Sequence, residues 1–384
     1  MPATPPPPPP IRLGLQLSAA PPLALMRALV YWARLIGCDS CLVSDSLQNF
    51  VPTALWDPQF TWAATQAPSA HIFLDWSVLL GDLARRAGRL HLGVGVTDPT
   101  RRHPVLLAQA ILTLAHLTHH APILGLGAGE RLNVEPYGLD FTTPVGRLEE
   151  ALQIIRACLA PHEGPITFHG RHYHLADAAL DLRAPAGKTP RIWIAARGPR
   201  MLRLTGLYGD GWYPALIASP QEYAAKLQVV RDAARAAGRN PAAITPALYQ
   251  AVLVAPTARG VAALRNSTTG RLGGMYAAAA AWRRFGVAHP FGADYHDLLL
   301  DFLPHRYDRA TCERGLATVP PALRGYGYLY GTPEQIAAKL HAFGAAGMRH
   351  VVLDLIGQVT ISARAGLYGL LAARRIARLL RSGP

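Results

Sequence analysis

Residues 122–159 read PILGLGAGERLNVEPYGLDFTTPVGRLEEALQIIRACL. Pro122–Gly129 is a short apolar run that ends in glycines, the pattern of a buried parallel strand leading into a turn. Pro144–Leu159 has helical spacing, with Leu148, Leu152, Ile155 and Leu159 on one face. Strand, glycine turn and helix make one βα unit, and the unit repeats on both sides. Upstream, Ile11–Leu17, Cys41–Val43 and Leu90–Val96 read as strands, each followed by a helical pattern (Pro22–Ile36, Leu74–Ala87, Pro104–Leu117). Downstream, Ile192–Ala196 precedes a helix over Pro199–Leu207, and Gly211–Pro214 precedes one capped by Ser219-Pro220-Gln221-Glu222. Leu248–Ala255 is the next strand. Thr332-Pro333-Glu334-Gln335 opens another capped helix, and Val351–Leu355 is the last strand before a basic closing helix.

Eight such strands in alternation with helices predict an α/β fold, and eight units favour a closed (β/α)8 TIM barrel over an open doubly wound sheet. Two segments break the repeat: Gln48–Phe73, which is rich in aromatics, and Thr257–Gly331. Both are expected as insertions over the C-terminal mouth, where barrel enzymes keep their sites. A hairpin is expected at Ile166–Ala176. The reading is a single barrel domain over residues 11–384, preceded by a Pro-rich arm at 1–10.

Composition narrows the function classes. Half of the 384 residues are apolar and 16% are charged, enough apolar material for a large core. The longest stretch free of acidic and basic residues, His103–Gly129, is interrupted by Gln109, histidines and Pro122, so no run approaches the ~20 apolar residues of a bilayer span. No secretory pattern opens the chain. Four cysteines in this length do not make a disulfide scaffold, and a reducing, cytoplasmic setting is expected. Lys and Arg number 38 against 24 Asp and Glu, a net charge of +14. The basic residues are scattered pairs such as Arg85-Arg86 and Arg101-Arg102, without a nucleic-acid-binding signature. Such a field attracts anions, an anionic lipid or a polyanionic cofactor, and nucleic acid is not the expected partner.

Four strand ends carry polar residues or glycines. They are Ser44-Asp45-Ser46, Gly93 to Asp98, Gly125 to Asn133, and Ala195 to Pro199. Glycines there let a flat or phosphorylated ligand approach the backbone, and a helix starting after Gly198 offers free N–H groups to a phosphate.

The stretches GCDSCLVSD, GVGVTDP, ILGLGAGERLNVEPYG, PVGRLEEALQIIRA, IWIAARGPRML and GTPEQIAAKLHAFGAAGMRHVVL resemble the luciferase-like family of flavin- and deazaflavin-dependent oxidoreductases. ERLNVEPYG and RGPRMLRLTGLYGDGW point to its coenzyme F420-dependent branch, nearest to ketoreductases and less near to glucose-6-phosphate dehydrogenases. The resemblance implies a barrel with F420, or alternatively FMN, in its mouth. Asp45, Asp98, Ala128, Gly129 and Asn133 match cofactor-contacting positions. Glu130 matches an acid beside the ring, and Arg197 and Gly198 match a phosphate-side loop. Gly95-Val96 falls where the family has a non-prolyl cis peptide.

Two departures from the family pattern stand out. Many F420-dependent members of the family carry Asp-His at the end of the second strand, whereas this chain has Asp45-Ser46, and a serine cannot supply an acid of pKa near 7. Glu130 and Ser46 are thus the catalytic candidates. The loop after Trp212 reads Tyr213-Pro214-Ala215-Leu216-Ile217, without the Thr and Lys that grip a sugar phosphate, so a hydrophobic carbonyl or alcohol is expected as the small-molecule substrate. Its pocket is expected between Gln48–Phe73 and the Trp212–Ile217 loop. The alternatives are an FMN-dependent monooxygenase and a non-catalytic barrel that binds deazaflavin or lipid. A homodimer without nucleic-acid partners is expected.

Other motifs read as structural. Cys38-Asp39-Ser40-Cys41 lacks partners for a zinc site and is expected in the core. His116, His119 and His120 end a helix. His169, His172 and His174 lie on the hairpin, with His172 and His174 on one face, and no metal site is expected. Arg374, Arg375, Arg378 and Arg381 read as a solvated helix face, with a weak membrane-surface contact as the alternative.

Overall fold

The structure is a computed structural model that describes residues 10–161, 163–355 and 361–383. Its strands are β1 (Arg12–Leu17), β2 (Ser40–Val43), β3 (His91–Thr97), β4 (Ile123–Leu126), β5 (Ile166–His169), β6 (His174–Ala178), β7 (Arg191–Ile194), β8 (Gly211–Trp212), β9 (Thr245–Val254), β10 (Tyr328–Gly331) and β11 (His350–Asp354). The main sheet runs β10-β9-β11-β1-β2-β3-β4-β7-β8, and β8 pairs back to β9. All its pairings are parallel. The result is the closed eight-stranded parallel (β/α)8 barrel expected from the repeat. All eight expected strands are present, with ends shifted by a few residues.

Side-chain alternation sorts each strand between two cores. Leu42, Ile123, Trp193, Tyr213, Ala247 and Val352 fill the barrel interior. Their neighbours Cys41, Val43, Leu124, Ile192, Ile194, Val351 and Leu353 face outward into the layer of helices. Strands β3 and β4 approach too closely for side chains at two points. A Cβ on Gly93 would lie 2.1 Å from the Ile123 carbonyl oxygen, and one on Gly125 would lie 2.3 Å from that of Val94. Cys38 and Cys41 are buried free thiols, and burial pushes Cys41 up to about 12.

Three details differ from the sequence reading. β10 pairs parallel to the outer end of β9 (Tyr328 with Ala251, Gly331 with Val254), so the segment 257–331, read only as an insertion, ends in a strand that joins the sheet. His172 lies in the turn between β5 and β6, not on a strand beside His174. Glu150 of the helix Pro144–Leu159 fixes that turn, accepting the backbone N–H groups of Arg171 (2.7 Å), His172 (2.8 Å) and Tyr173 (3.0 Å). Arg381 of the closing helix Ala363–Ser382 is exposed, but its guanidinium donates to the carbonyls of Ile36 (2.8 Å) and Gly37 (3.2 Å) at the end of the first helix. Of the Pro-rich arm, residues 1–9 lie outside the described residues. No helix among the described residues is long and apolar enough to cross a membrane.

The segments 48–73 and 257–331 meet over the C-terminal ends of the strands. Leu272, Met275, Tyr276, Trp282, Tyr295, Phe302 and Val319 form a second core, and Phe50, Val51 and Phe60 pack on it. Leu132, from the turn after β4, joins the same core. Hydrogen bonds stitch the two segments, Thr53 N–H to Pro304 O (3.0 Å) and Tyr276 O–H to Phe50 O (2.6 Å), together with an Arg309–Asp57 ion pair. We refer to this layer as the lid.

Candidate active site

The C-terminal ends of β2, β3 and β4 converge on one arginine. Asp98 follows β3 directly and accepts the backbone N–H groups of Thr100 (3.0 Å) and Arg101 (2.9 Å), which turns the chain back. The turn aims the Arg101 side chain across the rim. Its Nε donates to Asp98 (2.5 Å), while Nη1 and Nη2 donate to the two carboxylate oxygens of Asp45 (3.2 and 3.0 Å). Nη2 also donates to the Asp45 carbonyl (3.1 Å), and Thr97 Oγ1 donates to the Asp45 carboxylate (2.6 Å). The side chains of Arg101, Asp45 and Asp98 are 10%, 8% and 3% exposed. Burial opposes the guanidinium charge, but Asp98 and Asp45 outweigh it and raise the Arg101 pKa. Two carboxylates against one guanidinium leave one uncompensated negative charge.

Glu130 sits beside this cluster. Gly129, with φ +96°, bends the chain so that its own Cα faces the Asp98 carboxyl; a Cβ there would lie 3.5 Å from Asp98 Cγ. Asn133, one turn on, donates from Nδ2 to Glu130 Oε2 (2.7 Å). The other side of the same amide accepts the backbone N–H groups of Leu47 and Gln48 (both 2.8 Å), tying the turn after Ser46 to Glu130. Glu130 keeps part of its surface open, but its carboxyl group is enclosed. Burial pushes its pKa up to about 7, against the opposing effects of the Asn133 hydrogen bond and Arg101; Asp98 and Asp45 push the same way as burial. Near neutrality Glu130 can therefore hold or release a proton.

The residues singled out in the sequence fall into three groups. Asp45, Asp98, Glu130 and Asn133 form one connected cluster, with Ala128 and Gly129 half-buried at its edge and Ser46 half-buried on the turn that Asn133 holds. Gly95 and Val96 are joined by a cis peptide, and the Gly95 carbonyl accepts from Gln16 Nε2 (2.7 Å), whose Oε1 accepts from Tyr213 O–H (3.2 Å). Arg197 and Gly198 follow β7 and are tied to the lid: Arg197 Nη2 pairs with Asp297 Oδ2 at 2.6 Å, and the Arg197 carbonyl accepts from Lys226 (2.9 Å). Gly198 is the N-cap of the helix Pro199–Tyr208 and supplies no side-chain cap, so the first-turn N–H groups have no capping side chain.

Sequence reasoning missed Arg101, treating it as one of several scattered basic pairs. The signal was there in the Asp98–Arg101 spacing, but its second partner, Asp45, lies 56 residues away. The expected pocket wall at Trp212 is corrected. Trp212 is fully buried among the barrel helices, its Nε1 donating to Ala196 O (2.9 Å) and its ring 4.6 Å from Tyr223. Strand alternation turns Trp212 outward and its neighbour Tyr213 into the barrel interior.

A protein-family model described as luciferase-like monooxygenase matches residues 10–350. The chain belongs to that family. It is accordingly a luciferase-like oxidoreductase. It is 38% identical over 331 residues, 86% of this chain and 90% of the relative, to a phthiodiolone/phenolphthiodiolone dimycocerosates ketoreductase of Mycobacterium kansasii. An F420-dependent glucose-6-phosphate dehydrogenase of Kineococcus radiotolerans is 36% identical over 180 residues, covering 46% of this chain and 48% of the relative. The solved structure of an F420-dependent secondary alcohol dehydrogenase in complex with an F420-acetone adduct superposes with a TM-score of 0.71 at 18% identity. That match covers 97% of this chain and shares the fold.

Proposed function

We propose that this luciferase-like oxidoreductase uses coenzyme F420 to interconvert a hydrophobic ketone and its alcohol. The observation that carries the reading is Glu130 at the mouth, its carboxyl held by Asn133 (2.7 Å) beside the Asp45–Arg101–Asp98 cluster, where burial pushes its pKa up to about 7. The residues present fit the cofactor. The helix N-terminus at Gly198 has no capping side chain and suits its phosphate, and the net charge of +14 suits its acidic tail. When bound, reduced F420 would supply a hydride to a carbonyl carbon. Negative charge then develops on the carbonyl oxygen, and a proton must reach it. Glu130 in its acid form is placed to give that proton and, in the reverse direction, to take it back. Asn133 holds the carboxyl in place. The ketoreductase relative supports a hydrophobic ketone as the substrate class.

The test is to offer F420 and FMN together during purification and identify the retained chromophore by absorbance. Reduced F420 is then mixed with long-chain or aromatic ketones and, in the reverse direction, oxidised F420 with glucose 6-phosphate. F420 retention and ketone reduction exceeding sugar-phosphate oxidation are expected. Retention of FMN alone sinks the cofactor assignment, and efficient sugar-phosphate turnover sinks the substrate class.

A further inference from the structure

We propose that Arg101, through its fork across Asp45 and Asp98, is the positioning residue that lets Glu130 alternate between acid and base. The proposal rests on the reading above that Glu130 handles the proton. Its geometric basis is that one guanidinium makes four hydrogen bonds to two neighbouring strand ends, and that Gly129, next to Glu130 in the chain, lies against one of the carboxylates it grips, a Cβ there being 3.5 Å from Asp98 Cγ. The Asp98 backbone turn fixes the root of the same side chain, so the cation cannot swing away.

The charge count explains why it is needed. Facing Glu130 are Asp45 from the end of β2, Asp98 and Arg101 from the end of β3, and Asn133 from its own turn. Arg131, next in the chain, pairs instead with Glu135. An enclosed carboxyl already favours its neutral form, and two nearby carboxylates favour it further. Without a cation, Glu130 would hold its proton too tightly to give it up. Arg101 opposes this directly and also compensates Asp45 and Asp98. A carboxyl with two acidic neighbours and no cation would be a locked acid; the arginine makes it reversible. Lysine would keep the charge but lose the fork, so it would not hold both strand ends.

The test uses the full chain without cofactor. The protonated-carboxyl infrared band of Glu130, assigned by its loss in Glu130→Gln, is titrated against pH. In the wild type the band should disappear as pH rises through about 7. Arg101→Met should move that midpoint upward by about one unit or more, a tenfold or larger gain in proton affinity. Arg101→Lys, which keeps the charge without the fork, should bring the midpoint only part of the way back toward the wild-type value. Asp45→Asn removes a like charge without changing shape and should move the midpoint the opposite way, and it carries the test if Arg101→Met fails to fold by circular dichroism. An unmoved midpoint in folded Arg101→Met, or in Asp45→Asn, overturns the proposal. If the midpoints move as stated but no carbonyl is reduced with F420, this electrostatic role stands and the ketoreductase reading falls. If ketone reduction proceeds while the infrared midpoints and the pH profile of Arg101→Met match the wild type, the converse holds.

Discussion

One rim of the barrel is built in two opposite ways. At the ends of β2, β3 and β4, the Asp45, Asp98, Glu130 and Asn133 side chains are partnered within the protein, and Arg101 joins three of the four electrostatically. At the end of β7, the helix N-terminus at Gly198 lacks a side-chain cap and Arg197 is held by a single ion pair reaching up to the lid. The first arrangement is rigid and sets a proton affinity; the second leaves N–H groups and a cation that an anionic ligand can claim. A site that must fix a reacting group and also admit a charged cofactor benefits from both. Preorganisation belongs where charge develops, and exchangeable contacts belong where the ligand enters.

Removing the group that titrates is the sharpest way to break this contrast. Glu130→Gln keeps the shape and should lower ketone turnover by ~10²-fold or more while leaving F420 affinity within a few-fold. The same residue gives the expected pH dependence. Only its acid form donates, so ketone reduction should fall as pH rises through about 7, and the fall should vanish from the residual activity of Glu130→Gln. Stability follows the same sign. The folded pKa lies above the unfolded value near 4.5, so the folded state binds the extra proton. The stabilisation is complete below about 4.5 and is lost as pH rises through about 7, and it is worth at most ~3 kcal/mol. Denaturant titrations at pH 5 and pH 8 should show this slope in the wild type and not in Glu130→Gln; equal slopes would place the proton elsewhere.

The closed side also predicts a structural cost. Asn133→Ala removes the acceptor of two backbone N–H groups and the donor to Glu130 at once. A loss of ~2–4 kcal/mol in unfolding free energy is expected, because buried donors are left unsatisfied. A loss below ~0.5 kcal/mol would mean that the turn after β2 finds other partners.

How much of this could be read in the chain follows from the range of the contacts. The eight barrel strands are legible because each is a short, largely apolar run that alternates with helix-patterned sequence. β10 is not, since Tyr328, Leu329 and Tyr330 are a three-residue run hemmed in by Gly325, Gly327 and Gly331 and find a partner only at the far end of β9. Glu130 and Asp98 are legible through the motif that carries them. Arg101 is not, because its meaning comes from Asp45 on another strand. Trp212 was misplaced for a local reason: in a two-residue strand, alternation cannot be phased from sequence, and only the pairing of Trp212 with Pro246 shows which way it faces. Secondary structure is written in near neighbours, whereas the charge balance of the mouth is written across three strands.

Ser46 lies on the turn that Asn133 holds and offers a way to sharpen the comparison from within the closed side. Ser46→His should raise ketone reduction by a few-fold if the rim accepts a second proton carrier, and Ser46→Ala should change it little. A dead Ser46→Ala beside a fully active Glu130→Gln would move the proton role to the serine or a water on it.

The smallest expected effect tests the open side. Asp297→Asn removes the charge that occupies Arg197 while keeping the shape. The pair is partly exposed, 28% and 22%, so it is worth no more than ~1 kcal/mol to the fold and its loss should barely alter stability. If Arg197 is an anion contact held in reserve, freeing it should tighten F420 binding by a few-fold, and the gain should shrink as salt rises because the contact is screened. Arg197→Ala should weaken binding by a similar factor and should make Asp297→Asn neutral in the double variant, since the aspartate then has nothing to release. Additive effects in that cycle would mean that the two residues act separately. The contrast would then rest on the uncapped helix at Gly198 alone, with Arg197 serving only to tether the lid.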